Sequence, residues 1–314
     1  MINFIGLGAQ KSGTSWAYAC LYEHPEICAP IKEIHFFSRP RYVQGLQWYE
    51  NHFRKCNVKK IKGEFSTSYL YSQEAPERIH TNYPNAKLIA ILRNPDDRAV
   101  SQYRNSIKSG EITEAISFTQ FAAREASVIE QGRYCEQLER YQKYFQKNQM
   151  LVLIYEDIKK DPQAFMQSIY RFLGVSDSFV STMLNQEINI ARTPKTVVVD
   201  RVMHHVSEFL RRAGFDKLVH NIRKTGLPDF IRAHNTKHVE SVAFNREVLE
   251  ADFQSDVTKL SKLLGRDLNT EWNIPYEAYD SRQHYNPYIV ARHQCCVSFV
   301  YAQKRAISES SLFS

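Results

Sequence analysis

Near its start the chain carries a lysine among small polar residues, Gly8-Ala9-Gln10-Lys11-Ser12-Gly13-Thr14-Ser15-Trp16, between an apolar run (Ile2 to Leu7) and a helix-like segment (Ser15 to His24). A strand, a tight basic loop and a helix in that order aim backbone N–H groups and the positive end of a helix dipole at one point, where a phosphate-like anion can bind. Most loop lysines are solvated charges, but the place of Lys11 between strand and helix favours a binding role. The order is not that of the nucleoside triphosphate loop GxxxxGK[ST], because Lys11 follows Gln10 and the glycine comes after Ser12. A second basic junction holds Arg93 and, two helical turns on, Ser101. Arginine offers a planar fork to phosphate oxygens, although either residue alone could be structural. Proton transfer needs a carboxylate or imidazole within hydrogen-bond reach, and Lys32-Glu33-Ile34-His35-Phe36-Phe37 offers both. The bland alternative there is an exposed glutamate and a packed histidine.

The elements that must position these groups follow from hydrophobic pattern and turn chemistry. Short apolar runs at Lys60 to Phe65, Lys87 to Leu92 and Met150 to Tyr155 read as strands after the opening one. Helices are expected at Gly45 to Phe53, Pro76 to Tyr83, Asp96 to Ser109, Phe118 to Glu130, Tyr134 to Gln146 and Pro162 to Leu173. Ala29 to Phe37 reads as a loop or short strand near the sheet edge. This alternation predicts an α/β fold, a three-layer core around a central parallel sheet with right-handed crossovers, whose ligands bind beyond the C-terminal strand ends. Both basic loops would lie there and face one molecule. From about residue 176 the pattern turns helical, with segments at Asp177 to Gln186, Asp200 to Ala213, Phe215 to Lys224 and Asn245 to Leu264, which makes 176–272 a helical C-terminal cap. The polar, basic loop Asn189 to Lys195 interrupts it, and residues 273–314 form an extension without clear periodicity.

The 314 residues are 43% apolar and 24% charged, the composition of an ordinary globular protein. A net charge of +7 suits an anionic ligand. No recognised motif supports nucleic-acid binding. Six cysteines, at 20, 28, 56, 135, 295 and 296, show no metal-ligand spacing and read as reduced thiols. With no signal-peptide pattern and no run long enough to span a membrane, a cytoplasmic location is the expectation.

KSGTSW after a strand, together with LIAILRNPDDRAVSQYRNS, resembles the sulfotransferase family, and the likeness runs from the first strand to about Trp272 through GRYCEQLERYQKYF and LLGRDLNTEW. It implies a P-loop-NTPase-like sulfotransferase domain over 1–272 and transfer of a sulfuryl group from 3′-phosphoadenosine 5′-phosphosulfate (PAPS) to a hydroxyl or amine, leaving 3′-phosphoadenosine 5′-phosphate (PAP), with no metal required. Matched residue by residue, it implies that Lys11, Ser12, Gly13, Thr14 and Ser15 hold the 5′-phosphosulfate, with Lys11 also meeting the charge on the leaving phosphate. Trp16 would stack on adenine, unless it is a core aromatic, and Arg93 with Ser101 would bind the 3′-phosphate. The segment Lys32 to Phe37 is similar to that of heparan-sulfate-type enzymes, which implies Glu33 as the base and His35 as its partner or a second acid/base. The KTHLP-like and RKGxxGDWKNHF segments of cytosolic members are absent, and Glu64-Phe65-Ser66-Thr67 lacks the lysine of the GEKTP-like segment. Arg192 and Lys195 are candidates to close over the nucleotide instead.

Two other classes compete: a P-loop small-molecule kinase, which would need a Gly-Lys-Ser/Thr order and a magnesium-holding carboxylate, and a non-catalytic anion binder on the same fold. The acceptor is open among a carbohydrate, a small alcohol, a lipid and a carrier-bound chain. Trp48, Tyr49, Tyr69 and Tyr71 could stack on a sugar, although such aromatics are more often core. Oligomeric state is not readable from the sequence.

Overall fold

The computed structural model of the chain describes residues 1–56, 60–113, 115–185, 192–194, 236–238 and 247–273. Five strands, β1 (Phe4–Gly8), β2 (Ile27–Cys28), β3 (Ile61–Phe65), β4 (Lys87–Leu92) and β5 (Met150–Ile154), form one parallel sheet in the order β2-β3-β1-β4-β5. β1 therefore lies between β3 and β4, and the chain leaves it at the point where the strand order reverses. In parallel sheets that is where a crevice opens beyond the C-terminal strand ends. The loops after β1, β3 and β4 all leave the sheet at this end.

Eleven α-helices are described: α1 (Thr14–Glu23), α2 (Leu46–Asn51), α3 (Ala75–Asn82), α4 (Pro95–Ser109), α5 (Phe118–Arg124), α6 (Ser127–Glu130), α7 (Tyr134–Gln142), α8 (Glu156–Lys160), α9 (Pro162–Leu173), α10 (Glu247–Leu264) and α11 (Leu268–Glu271). They cover both faces of the sheet. The period-two alternation of β4 shows this directly. Leu88, Ala90 and Leu92 join an apolar cluster with Ile79, Ala99, Leu138 and Phe253. Ile89 and Ile91 join the opposite cluster with Ala17, Leu21, Phe165 and Ile169. The result is the expected three-layer α/β core.

Local chemistry fixes the helix that matters most to the site. Asn94 accepts hydrogen bonds from the backbone N–H groups of Asp96 and Asp97, Pro95 occupies the first turn, and Gly110 closes α4 in the left-handed region at φ 75°. These are the start and stop devices that exposed N–H and C=O groups of a helix require.

Several expectations need correction. Phe118 to Glu130 is not one helix: Glu125 leaves the helical region at φ −113° and ψ 81°, and the buried Arg98 guanidinium holds the carbonyl of Val128 in the following short turn. The helix from Tyr134 ends at Gln142, and α8 precedes α9 where none was expected. Residues 177–185 are turns and not a helix. Their polar groups have tertiary partners: the Glu23 carboxylate accepts from Ser181 Oγ at 2.6 Å and from Thr182 N at 2.8 Å, while Trp16 Nε1 donates to the Met183 carbonyl at 3.1 Å. Cysteine pairing is also corrected, because Cys28 and Cys56 form a disulfide, whereas Cys20 and Cys135 are free, buried thiols. The bond ties the end of β2 to the segment behind α2. The expected helices 200–213 and 215–224 and the extension beyond 273 lie outside the described residues, as do Lys195 and the Arg192 side chain.

Candidate active site

Lys11 sits in the loop between β1 and α1 with a left-handed backbone, φ 68°. Gly13 follows at φ 78°, and a Cβ there would lie 2.8 Å from the Tyr155 ring, so both conformation and space require glycine. Thr14 opens α1, whose first N–H groups and dipole face the loop. Ser12 is fully buried, and its Oγ has no hydrogen-bond partner among the described residues. Such an orphaned buried hydroxyl is costly unless a ligand meets it. Ser15 is partly exposed on the first turn of α1.

Arg93, at the end of β4, turns back onto this loop. Its Nη1 donates to the Lys11 carbonyl at 3.3 Å, its guanidinium lies 4.8 Å from the Tyr155 ring centroid, and its Nη2 is 3.8 Å from Asp97 Oδ2. Nε of Arg93 is buried without a partner among the described residues. The Lys11 ammonium reaches α4, donating to Asn105 Oδ1 at 3.0 Å. Ser101 lies one turn before Asn105 and Lys108 about one turn after it, so the three share a face of the helix. Burial, then the like charges of Lys108, Arg93 and Lys32, push the Lys11 ammonium down to about 8. A lysine destabilised by burial and by neighbouring cations suits an anion. The loop, Arg93 and the orphaned Ser12 hydroxyl therefore fit a phosphorylated nucleotide.

Glu33 and His35 lie in the loop after β2, both with left-handed backbones, at φ 63° and 55°. The loop docks on the end of β3: Glu33 N donates to the Phe65 carbonyl at 2.8 Å and His35 N to Ser66 Oγ at 2.9 Å. The Glu33 carboxylate accepts from Thr67 N at 3.0 Å and from Thr67 Oγ1, and it pairs with the Lys32 ammonium. His35 Nε2 is 3.1 Å from Glu33 Oε2, and its Nδ1 is 2.6 Å from Ser68 Oγ. Burial raises the Glu33 carboxyl, but the Lys32 charge and the donated hydrogen bonds outweigh it and hold it below the ordinary carboxylate range. Burial pushes the imidazole down to about 4 against the pull of Glu33, so His35 is neutral at physiological pH. Behind them Glu64 is fully buried, and burial raises its carboxyl to about 7 despite hydrogen bonds from Ser66, Tyr69 and Tyr49.

The structure thus gathers Lys11, Ser12, Gly13, Ser15, Arg93 and the Ser101 face of α4 at one end of the sheet, and it gathers Glu33 with His35 on the β3 loop. Lys32 connects the two groups, being paired to Glu33 and close enough for its charge to act on Lys11. Thr14 is buried at the start of α1. Trp16 is 7% exposed and packs edge-on against Phe165, the core arrangement that the sequence left open. Tyr49 and Tyr69 are likewise fully buried core residues, not a sugar platform. The backbone of Arg192 lies in β6 (Arg192–Pro194), which pairs antiparallel with β7 (Thr236–His238) and runs beside α4. Sequence reasoning missed Asn105, Lys108, Thr67, Ser68 and Tyr155. The spacing of Ser101, Asn105 and Lys108 could have found the first two. Thr67, Ser68 and Tyr155 have no local signal, since tertiary packing alone brings them in.

The family model described as "Sulfotransferase domain" matches residues 3–221, more than half of the chain. The chain is 32% identical over 194 residues to human bifunctional heparan sulfate N-deacetylase/N-sulfotransferase 3, covering 55% of this chain and 22% of that protein. It is 33% identical over 178 residues to mouse heparan sulfate glucosamine 3-O-sulfotransferase 6, covering 54% of this chain and 51% of that one. The chain thus spans about half the length, or less, of these curated relatives. Among solved structures it resembles a sulfotransferase from Alicyclobacillus acidocaldarius, with 27% identity, a TM-score of 0.63 and coverage of 87% of this chain and 99% of that one. A triphosphate-loop kinase is not favoured by any of these matches.

Proposed function

The chain belongs to the sulfotransferase family, whose reaction is sulfuryl transfer from PAPS, and we propose that it sulfates a hydroxyl or amino group of a glucosamine-containing polysaccharide. The observation that carries the reading is the junction at Lys11: Arg93 bonds its carbonyl, and Lys32 couples its ammonium to the Glu33 loop. The carbohydrate class rests on the two relatives named for heparan sulfate and glucosamine.

PAPS supplies an activated sulfuryl group on a phosphate leaving group. In the proposed roles, Lys11 places its charge beside the oxygen that becomes negative as the sulfur–oxygen bond breaks, and the N–H groups of the Ser12 to Ser15 turn act beside it. Preorganised donors of this kind typically contribute about a hundredfold or more to rate. Arg93 and Ser101 recognise the 3′-phosphate. Glu33 accepts the acceptor proton as the new sulfur–oxygen or sulfur–nitrogen bond forms. His35 keeps Nε2–H on the Glu33 carboxylate while its Nδ1 accepts from Ser68, so it orients the base and does not compete with it. Arg192 and Lys195 remain proposed as the residues that close over the nucleotide.

Incubation with 35S-labelled PAPS and a panel of acceptors tests the reading: an N-deacetylated glucosamine polysaccharide, a simple phenol and a long-chain alcohol. Label on the polysaccharide is expected, and label only on the phenol or alcohol would refute the carbohydrate assignment. Location is tested through the cysteines. A cytoplasmic home requires reduced Cys28 and Cys56, whereas the bond between them is of a kind that persists in oxidising compartments. Alkylation of protein trapped directly from its cells reads which state holds.

A further inference from the structure

Behind the Glu33–His35 loop, a fully buried carboxylate is connected to the loop through two hydroxyls. Glu64 Oε2 accepts from Ser66 Oγ at 2.6 Å, and that same Oγ accepts the backbone N–H of His35 at 2.9 Å. Glu64 Oε1 accepts from Tyr69 Oη at 2.6 Å, and that Oη accepts the backbone N–H of the next residue, Phe36, at 3.0 Å. Tyr49 Oη is a third, weaker donor at 3.4 Å. A hydroxyl has one proton and two lone pairs. With its proton committed to Glu64, each hydroxyl must turn a lone pair toward the loop.

We propose that Glu64 is a positioning residue for the reaction: by fixing the hydroxyls of Ser66 and Tyr69 as acceptors, it clamps the backbone at His35 and Phe36 and so holds Glu33 and His35 in the geometry that takes the acceptor proton. The inference rests on the reading of Glu33 as base and extends it to a residue that touches neither substrate. The loop needs such a clamp. Glu33 and His35 both sit at positive φ, 63° and 55°, a region that non-glycine residues occupy only when their surroundings fix them there. An apolar residue in place of Glu64 would leave the two hydroxyl protons without a fixed acceptor, so that neither hydroxyl is held with a lone pair toward its N–H, and an amide would present N–H donors toward hydroxyls that must donate. The ionised carboxylate, the form Glu64 takes above about pH 7, is the side chain of this size that accepts from both sides at once, so the clamp is read at pH 8.

The test is Glu64→Gln in the full chain, read by amide hydrogen exchange and by kinetics with the N-deacetylated glucosamine polysaccharide. Exchange at His35 and Phe36 should rise about tenfold, the effect of roughly one lost hydrogen bond, with β1 and β4 amides unchanged. The kcat should fall about tenfold with the KM for PAPS unchanged, and Glu64→Gln should cost nothing further in a Glu33→Gln background, because residues acting through one group are not additive. Unchanged exchange at His35 and Phe36, a rise spread over the whole sheet, or losses that multiply in the double variant would each overturn the proposal. If Glu64→Gln does not fold, Ser66→Ala and Tyr69→Phe remove one arm each, and exchange should rise at His35 in the first and at Phe36 in the second. Absence of transfer to every acceptor would instead sink the assignment of Glu33, while the exchange readout still decides whether the clamp exists.

Discussion

Nε2 of His35 lies 3.1 Å from Oε2 of Glu33 while Nδ1 of the same ring lies 2.6 Å from Ser68 Oγ, so both imidazole nitrogens are engaged before any substrate arrives. A neutral ring in this setting donates from Nε2 and accepts at Nδ1. The carboxylate keeps a proton-accepting role that the histidine has given up. Glu33→Gln should therefore lower kcat by about a hundredfold to ten-thousandfold, the range for loss of a general base, with PAP binding unaltered. His35→Ala should cost about tenfold, since it removes orientation only. Single-turnover transfer rates with bound PAPS separate the two, and equal losses would contradict this division of labour.

Lys11 gives the pH dependence its alkaline limb. Its ammonium ordinarily titrates at 10.5 and is brought down to about 8 here, so the free protein loses this charge as pH rises through about 8. A bound anion favours the charged form and moves the titration upward. The expected result is a kcat/KM for PAPS that declines above about pH 8, while kcat at saturating PAPS holds to higher pH, because the first parameter reports the free enzyme and the second the complex. Lys11→Arg, charged throughout this range, should lack the limb. A wild-type profile flat to pH 10 would show that Lys11 is not the group that meets the anion.

The fold was legible wherever local pattern and tertiary outcome coincide. Lys87 to Leu92 is apolar along its length because helices cover both faces of the sheet, and its bounds are those of β4. Pro162 to Leu173 carries its own start and stop in Asp161, Pro162 and Gly174, and α9 has the same limits. Residues 177–185 misled because their helical spacing competes with partners on α1 that no local pattern reveals, Glu23 and Trp16. The site divides in the same way. Lys11, Gly13 and Arg93 stand at strand ends, where sequence order alone forecasts a crevice. The surroundings of Glu33 depend on Thr67, Ser68 and Glu64, which are about thirty residues away along the chain and adjacent only because β2 pairs with β3.

Arg93 and Ser101 predict a preference among nucleotides. If they bind the 3′-phosphate, the protein should be stabilised more by PAP than by adenosine 5′-phosphate, since binding to the folded state raises its apparent stability. Arg93→Ala should remove most of that difference, on the order of 2 kcal/mol for a charge-assisted hydrogen bond, and Ser101→Ala about 1 kcal/mol. Arg93→Lys should recover only part, because the fork and its stacking on Tyr155 are lost. Thermal-shift titrations with the two nucleotides give the comparison. Equal stabilisation of the wild type by both would show that neither residue reads the 3′ position.

The Cys28–Cys56 bond separates stability from catalysis. It closes a loop of 28 residues and ends one position before the segment Ala29 to Phe37 that carries Glu33 and His35. Chain-entropy arguments put such a crosslink at about 3 kcal/mol, because it limits the unfolded chain more than the folded one. The catalytic loop, however, is held by its own bonds to β3 at Phe65, Ser66 and Tyr69. Reduction, or the Cys28→Ser/Cys56→Ser double variant, should therefore move the denaturant midpoint down while leaving kcat at 25 °C within about twofold. Urea unfolding with and without reductant measures the first, and transfer to the polysaccharide under the same two conditions measures the second. A large loss of kcat with an unchanged midpoint would mean that the crosslink, and not the β3 contacts, holds Glu33 and His35 in place.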